Sequence, residues 1–171
     1  MLKRIKITNY KSLKDVDVTL RPLSIFIGPN ASGKSNFLDA LQLLSRIAAS
    51  RTLKEAFEPP YRGKPLESFT FGENAIKGLL EQSEASFEIT ADIELSQTVV
   101  DSVDRQIRQM KQTTGTDQSP IDKTKMQSFV HEKLLRYRIK VEMLPRSGVL
   151  RIADEYVATL KTDGSVMEKL N

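Results

Sequence analysis

The chain has 171 residues, of which 39% are hydrophobic and 28% charged, enough for one core and too apolar for a disordered tail. It has no cysteine and one histidine, His131, which excludes disulfide scaffolds, Cys-ligated metals, thiol nucleophiles and a multi-His metal site. The net charge of +4 divides into +7 for residues 1–64, −8 for 65–104 and +5 for 105–171. A basic first third suits phosphate or nucleic acid, and equally a solvated mixed surface.

No apolar run approaches the ~20 residues of a membrane-spanning helix. The basic start MLKRIKITNYKSLKD lacks the continuous apolar stretch of a secretory leader, so the expected location is cytoplasmic, with no membrane partner. Residues 2–8 alternate Leu2, Ile5 and Ile7 with Lys3, Arg4 and Lys6, which predicts a strand. A turn at 9–14 and a second period-2 strand at 15–20 complete an expected hairpin. Leu23–Ile27 is a short apolar run ending at Gly28 and reads as a buried strand. From Ser35 the period changes: Phe37, Leu38, Leu41, Leu44 and Ile47 fall at helical steps, predicting a helix to about Ser50.

Proline and glycine make 57–65 a loop, and a brief helix is expected near 73–82. Phe87, Ile89, Ala91 and Ile93 alternate within a strand at 86–95. Val100, Val103, Ile107 and Met110 space a helix over 98–111, followed by a polar loop at 113–120 and a second helix at 122–132. Strands are expected at 135–143 and, as one or two segments, at 149–160, separated by a turn at 145–148. The helical pair, bounded at 97–133, reads as an insertion between antiparallel strands.

The segment with chemistry in it is Gly28-Pro29-Asn30-Ala31-Ser32-Gly33-Lys34-Ser35, a complete G-x-x-x-x-G-K-S loop between an apolar run and an amphipathic helix. A polyphosphate is a dense anion best held by curled backbone N–H groups at a helix N-terminus. Gly28 and Gly33 permit close backbone approach. Lys34 suits the β- and γ-phosphates of ATP, as a group that neutralises charge in the ground state and during transfer. The Ser35 hydroxyl suits a Mg²⁺ shell.

The opening Leu2–Leu13, with its Asn9-Tyr10-Lys11-Ser12 turn, and the run Phe26–Ala40, which takes in Asn36, resemble the N-terminal lobe of ABC-type P-loop ATPases. The resemblance is to the RecF, SMC and OLD-like group, with its G-x-N-x-S-G-K-S/T-N loop after an N-[FY]-[KR]-S turn. It covers about residues 2–45. It implies an α/β P-loop NTPase lobe with antiparallel strands and a helical insertion, with its C-terminal lobe absent from this chain. It further implies ATP and Mg²⁺ as cofactors and residues 28–36 as the nucleotide site. For the intact protein it implies a homodimer sandwiching ATP between heads, work in DNA repair, chromosome maintenance or phage defence, DNA as a partner, and an effector protein or fused nuclease domain.

Other parts of that pattern are not found. No L-S-G-G-like signature occurs. Asp154-Glu155 is the one candidate for the apolar strand ending in Asp-Glu, and Arg151 interrupts it, so an ordinary two-faced strand is the better reading. His131 reads as a helix-face histidine rather than a switch. Lys11 matches the family's basic residue near the nucleotide and equally a solvated turn lysine. Hydrolysis by this chain alone is therefore expected to be weak or absent. The alternatives are a non-hydrolytic, nucleotide-gated interaction module or, less favoured, a P-loop kinase.

Overall fold

A computed structural model describes residues 1–72, 75–113 and 128–170. The alternation in the first twenty residues folds into β1 (Leu2–Tyr10) and β2 (Leu13–Thr19), an antiparallel hairpin in which Ile5 faces Val18 and Ile7 faces Val16. The sheet continues through β3 (Ala85–Glu94), β4 (Leu134–Leu144), β5 (Val149–Leu160) and β6 (Val166–Leu170) in the order β2-β1-β3-β4-β5-β6, every pair antiparallel. Residues 149–160 form one strand, and β6 is an element that the hydrophobic pattern did not announce.

Period-2 alternation gives this sheet two unlike faces. Ile7, Ile89 and Ile139 stand opposite one another on three neighbouring strands and are fully buried. They join Ile5, Phe87 and Val141 in a core that also takes Phe37, Ala40 and Leu43 of α1 (Lys34–Ala49). The other face is a ladder of ion pairs. Arg136 grips Asp92 at 2.6 Å, Arg138 reaches Glu88 at 2.6 Å and Asp154 at 3.1 Å, and Glu142 holds Lys140 and Arg151, each at 2.8 Å. Arg4 joins Asp17 at 2.5 Å and Asp92 at 3.7 Å.

After α1 the chain turns back over that helix. Thr52 Oγ1 accepts the Glu55 N–H at 3.3 Å and caps the short α2 (Leu53–Ala56). Arg46 of α1 donates to the carbonyls of Glu55, Ala56 and Glu58 at 2.7–2.9 Å, closing the open end of α2 and fixing the strap that follows. Phe57 and Tyr61 of the strap are buried, and Tyr61 shares hydroxyl hydrogen bonds with Tyr10 at 2.8 Å and Ser68 at 2.5 Å. A single 3-10 turn (Pro65–Ser68) and α3 (Ala75–Leu80) lead into β3. The 98–111 helix is present as α4 (Gln97–Thr113), within the connection between the adjacent strands β3 and β4.

Two sequence expectations need correction. Leu23–Ile27 is irregular rather than a buried strand: Leu23, Ile25 and Ile27 are 78%, 75% and 92% exposed. Among the described residues no hydrogen bond engages its backbone, because no strand lies on either side of it. An apolar run predicts burial only when neighbours are present to bury it. The second expected helix, 122–132, falls largely outside the described residues, and its described end, 128–132, is irregular rather than helical. There the Asp104 carboxylate of α4 accepts the Phe129 N–H at 2.8 Å, and His131 is exposed on the irregular stretch, not on a helix face. The expected loop at 113–120 lies, from 114 on, outside the described residues.

Candidate phosphate-binding site

Gly28, Pro29, Asn30, Ala31, Ser32 and Gly33 form one continuous loop that delivers Lys34, Ser35 and Asn36 as the first turn of α1. Gly33 takes φ +91°, and a Cβ there would stand 3.0 Å from Leu13 Cδ2 and 3.3 Å from Ser12 Oγ. Glycine is therefore required both by the left-handed backbone and by the space against the β1–β2 turn. At Gly28 a Cβ would meet Ser32 Oγ at 3.1 Å, inside the curl of the loop. Ala31 also has positive φ, +65°, which an L side chain adopts at a cost.

The N-terminus of α1 has no side-chain cap, and among the described residues no acceptor engages the N–H groups of residues 33–36. Those donors and the positive end of the helix dipole remain available to an anion. Lys34 Nζ folds back over the loop, donating to the carbonyls of Gly28 at 2.6 Å and Pro29 at 2.7 Å and to Ser32 Oγ at 3.3 Å. Its charge is thus held at the loop by acceptors that a stronger anion can replace. Residues 30–36 line a concavity of about 350 Å³ together with Ser12 and Arg62. Gly28 and Pro29 do not line it; they support Lys34 from behind.

Ser12 and Arg62 come from elsewhere in the chain. Asn9 and Lys11 both have positive φ, +57° and +49°, and this tight turn brings Ser12 Oγ to accept from Asn36 Nδ2 at 2.8 Å. Lys11 is no solvated lysine: its side chain is 11% exposed, lies over the Tyr10 and Tyr61 rings, and pairs with Asp39 of α1 at 2.7 Å. Arg62, at the end of the strap, donates to Asp39 at 2.5 Å and to Asn36 Oδ1 at 3.2 Å. Burial alone would raise the Asp39 carboxyl; hydrogen bonds from Arg62 and Lys11 outweigh it and hold that group below the usual carboxylate range. Arg62 and Asp39 escaped the sequence reading. The signal available was an arginine followed by Gly63, whose φ of +100° marks a special turn.

Asp154 and Glu155 do not join this site. They lie mid-strand on β5, Asp154 paired with Arg138 at 3.1 Å and Glu155 accepting from the Tyr137 hydroxyl at 2.5 Å. Among the described residues no group of three or more His, Asp or Glu side chains converges on a metal-binding arrangement. Of the residues at the start of α1, Ser35 has a hydroxyl that could serve a hard cation.

Residues 1–161 match the AAA ATPase domain family, nearly the whole chain. The chain belongs to that family. Within this AAA ATPase domain the similarity to curated proteins is partial. It is 43% identical over 44 residues to the OLD nuclease of Thermus scotoductus, 26% of this chain and 8% of that protein. It is 30% identical over 96 residues to the DNA replication and repair protein RecF of Lactococcus lactis subsp. cremoris, 56% of this chain and 24% of RecF. RecF of Corynebacterium jeikeium is 34% identical over 56 residues, 32% of this chain and 13% of that protein. The AAA ATPase domain is of the RecF/SMC/OLD-like kind, and the matches span a quarter or less of these relatives' lengths. Its mixed α/β architecture, an antiparallel sheet with helices, agrees with that family in general terms.

Proposed function

We propose that this chain is the N-terminal, ATP-binding lobe of an ABC-type ATPase, with residues 28–36 as the phosphate grip. One observation carries the reading: a helix N-terminus with no cap of its own, entered through a loop whose glycines leave room that a Cβ would fill, with Lys34 folded over it. The backbone N–H groups of 33–36 would orient the phosphates, and Lys34 would exchange its carbonyl acceptors for phosphate oxygens. Ser35 would contribute to holding Mg²⁺, whose chemistry when bound is to offset charge on the phosphates.

The same proposal takes the bare Leu23–Ile27 segment as the strand to which a C-terminal lobe adds its own strands. In the intact protein, ATP sandwiched between two heads would join a homodimer. The similarity to an OLD nuclease and to RecF supports DNA repair or defence as the setting, with DNA and an effector or fused nuclease as partners; the cytoplasm is the proposed location. Among the described residues no helix is long and apolar enough to cross a membrane. A second reading, a nucleotide-gated interaction module without turnover, is favoured for the chain by itself, because Asp154 and Glu155 are spent on sheet partners.

Calorimetric binding of MgATP, with phosphate release measured separately, tests both readings. Lys34→Ala should weaken binding at least about tenfold, with the melting temperature unchanged, since among the described residues its side-chain hydrogen bonds all go to its own loop. Equal affinity in the variant would remove the site assignment. Robust turnover by the unaltered chain would overturn the reading of Asp154 and Glu155.

A further inference from the structure

Asp39 is one buried carboxylate held by two cations, and the two are not equivalent. Lys11 is enclosed: its side chain is 11% exposed, it lies over two tyrosine rings, and it also donates to the Arg62 carbonyl at 3.0 Å. The Arg62 side chain is 59% exposed and lines the concavity formed by residues 30–36. One counter-charge suffices for one carboxylate, so the cluster carries a surplus positive charge, and it resides on the side chain facing the open space.

The Arg62–Asp39 contact also leaves the guanidinium poorly matched. Nε at 3.0 Å and Nη2 at 2.5 Å both converge on Oδ2, the same oxygen that takes the Lys11 ammonium. A guanidinium is a fork that prefers two separate acceptor oxygens, and a phosphate supplies them. The backbone beneath it is set by the bond from Lys11 and by Gly63, where a Cβ would stand 2.5 Å from Glu67 Oε2. Only the side chain needs to move.

We propose that Asp39 is a latch, storing Arg62 at the rim of the loop until a polyphosphate takes the guanidinium and leaves Lys11 as the sole counter-ion of Asp39. This rests on the nucleotide-binding reading above and adds a stored cation and its release. The latch makes Arg62 and Asp39 act in opposite directions on affinity, although the two side chains touch. A merely positioning Asp39 would make them act in the same direction.

The test is calorimetry with MgATP and with inorganic tripolyphosphate on the full chain, for Arg62→Gln, Asp39→Asn and Lys34→Ala. Arg62→Gln should weaken both ligands about tenfold. Asp39→Asn, which removes the charged competitor for Arg62 and leaves it only the neutral Asn36 Oδ1 and an amide, should bind about threefold more tightly than the unaltered chain. Loss of affinity in Asp39→Asn equal to that in Arg62→Gln overturns the latch, as does unchanged affinity in Arg62→Gln. If Asp39→Asn fails to fold, the ¹⁵Nε resonance of Arg62 in the unaltered chain decides. It should shift on adding tripolyphosphate, and a resonance that stays in place overturns the proposal. Lys34→Ala separates the two levels: if it weakens binding while Arg62→Gln leaves affinity unchanged, the latch alone falls. If the unaltered chain binds neither ligand, the nucleotide reading and the latch fall together.

Discussion

The antiparallel sheet and the limb of residues 20–36 use the same kinds of residue in opposite ways. In the sheet, isoleucines are buried against isoleucines across three strands, and the charged side chains of the outer face are tied into pairs. In the limb, Leu23, Ile25 and Ile27 face outward, and among the described residues the backbone of 23–27 has no hydrogen bond and the first N–H groups of α1 have no cap. A fold that satisfies its own groups in one region and leaves them open in the next is divided between holding itself together and receiving something else. The basic residues of β1 and β4 therefore argue little for nucleic acid, because most are spent on carboxylates. At the concavity itself the positive charge is that of Lys34 and Arg62, Arg62 being shared with Asp39.

The largest stability effect should come from the sheet. Ile89 is fully buried between Ile7 and Ile139, so Ile89→Ala should cost about 3 kcal/mol by urea denaturation. A loss below about 1 kcal/mol would mean that this row is not the core.

Acid should separate the regions next. The Asp39 carboxyl is held low in the folded state, so the unfolded chain binds that proton more readily. Its contribution is then complete above about pH 4 and is lost as pH falls through the folded value. Glu88 is lowered first by its hydrogen bond from Arg138 and acts in the same direction from within the sheet. Urea midpoints between about pH 3 and 6 should rise with pH, and Arg62→Gln should make the rise shallower. An identical profile would show that the exposed guanidinium contributes nothing to the pair.

How far the sequence disclosed this division depends on how local the signals are. The β1–β2 hairpin, α1 and β3 were legible because alternation and helical spacing are written in consecutive residues. The glycine-rich loop entering α1 was legible because its glycines and Lys34 fall within eight positions. Arg62 was not, since it reaches Asp39 only after Arg46, Phe57 and Tyr61 have folded the strap over α1. Lys11 fits a solvated turn lysine as well as the family's basic residue near the nucleotide, because nothing nearby in sequence announces Asp39 or the Tyr61 ring. Leu23–Ile27 misled for the converse reason: apolarity is local, whereas burial belongs to neighbours.

A smaller effect should appear at the strained point of the loop. Ala31 has φ +65° with an L side chain, so Ala31→Gly relieves the backbone while giving the unfolded chain more freedom. The net gain should be about 0.5 kcal/mol, measured by thermal melting without phosphate in the buffer. A loss would mean that the alanine methyl makes contacts that outweigh the strain.

The smallest effect should come from the residue that looks most hydrophobic in the wrong place. Ile27 is 92% exposed, so Ile27→Ser in this chain should change stability by less than about 0.5 kcal/mol. Its alternate neighbours Leu23 and Ile25 share the bare side, and Phe26, itself 43% exposed, meets the Phe37 ring with centroids 4.7 Å apart. A run that adds almost nothing here should add a great deal once strands lie beside it. The same substitution in a longer protein containing the proposed C-terminal lobe should cost about 2 kcal/mol or more. A cost above about 1.5 kcal/mol in this chain alone would show that the segment is already packed, and the division between the two regions would vanish.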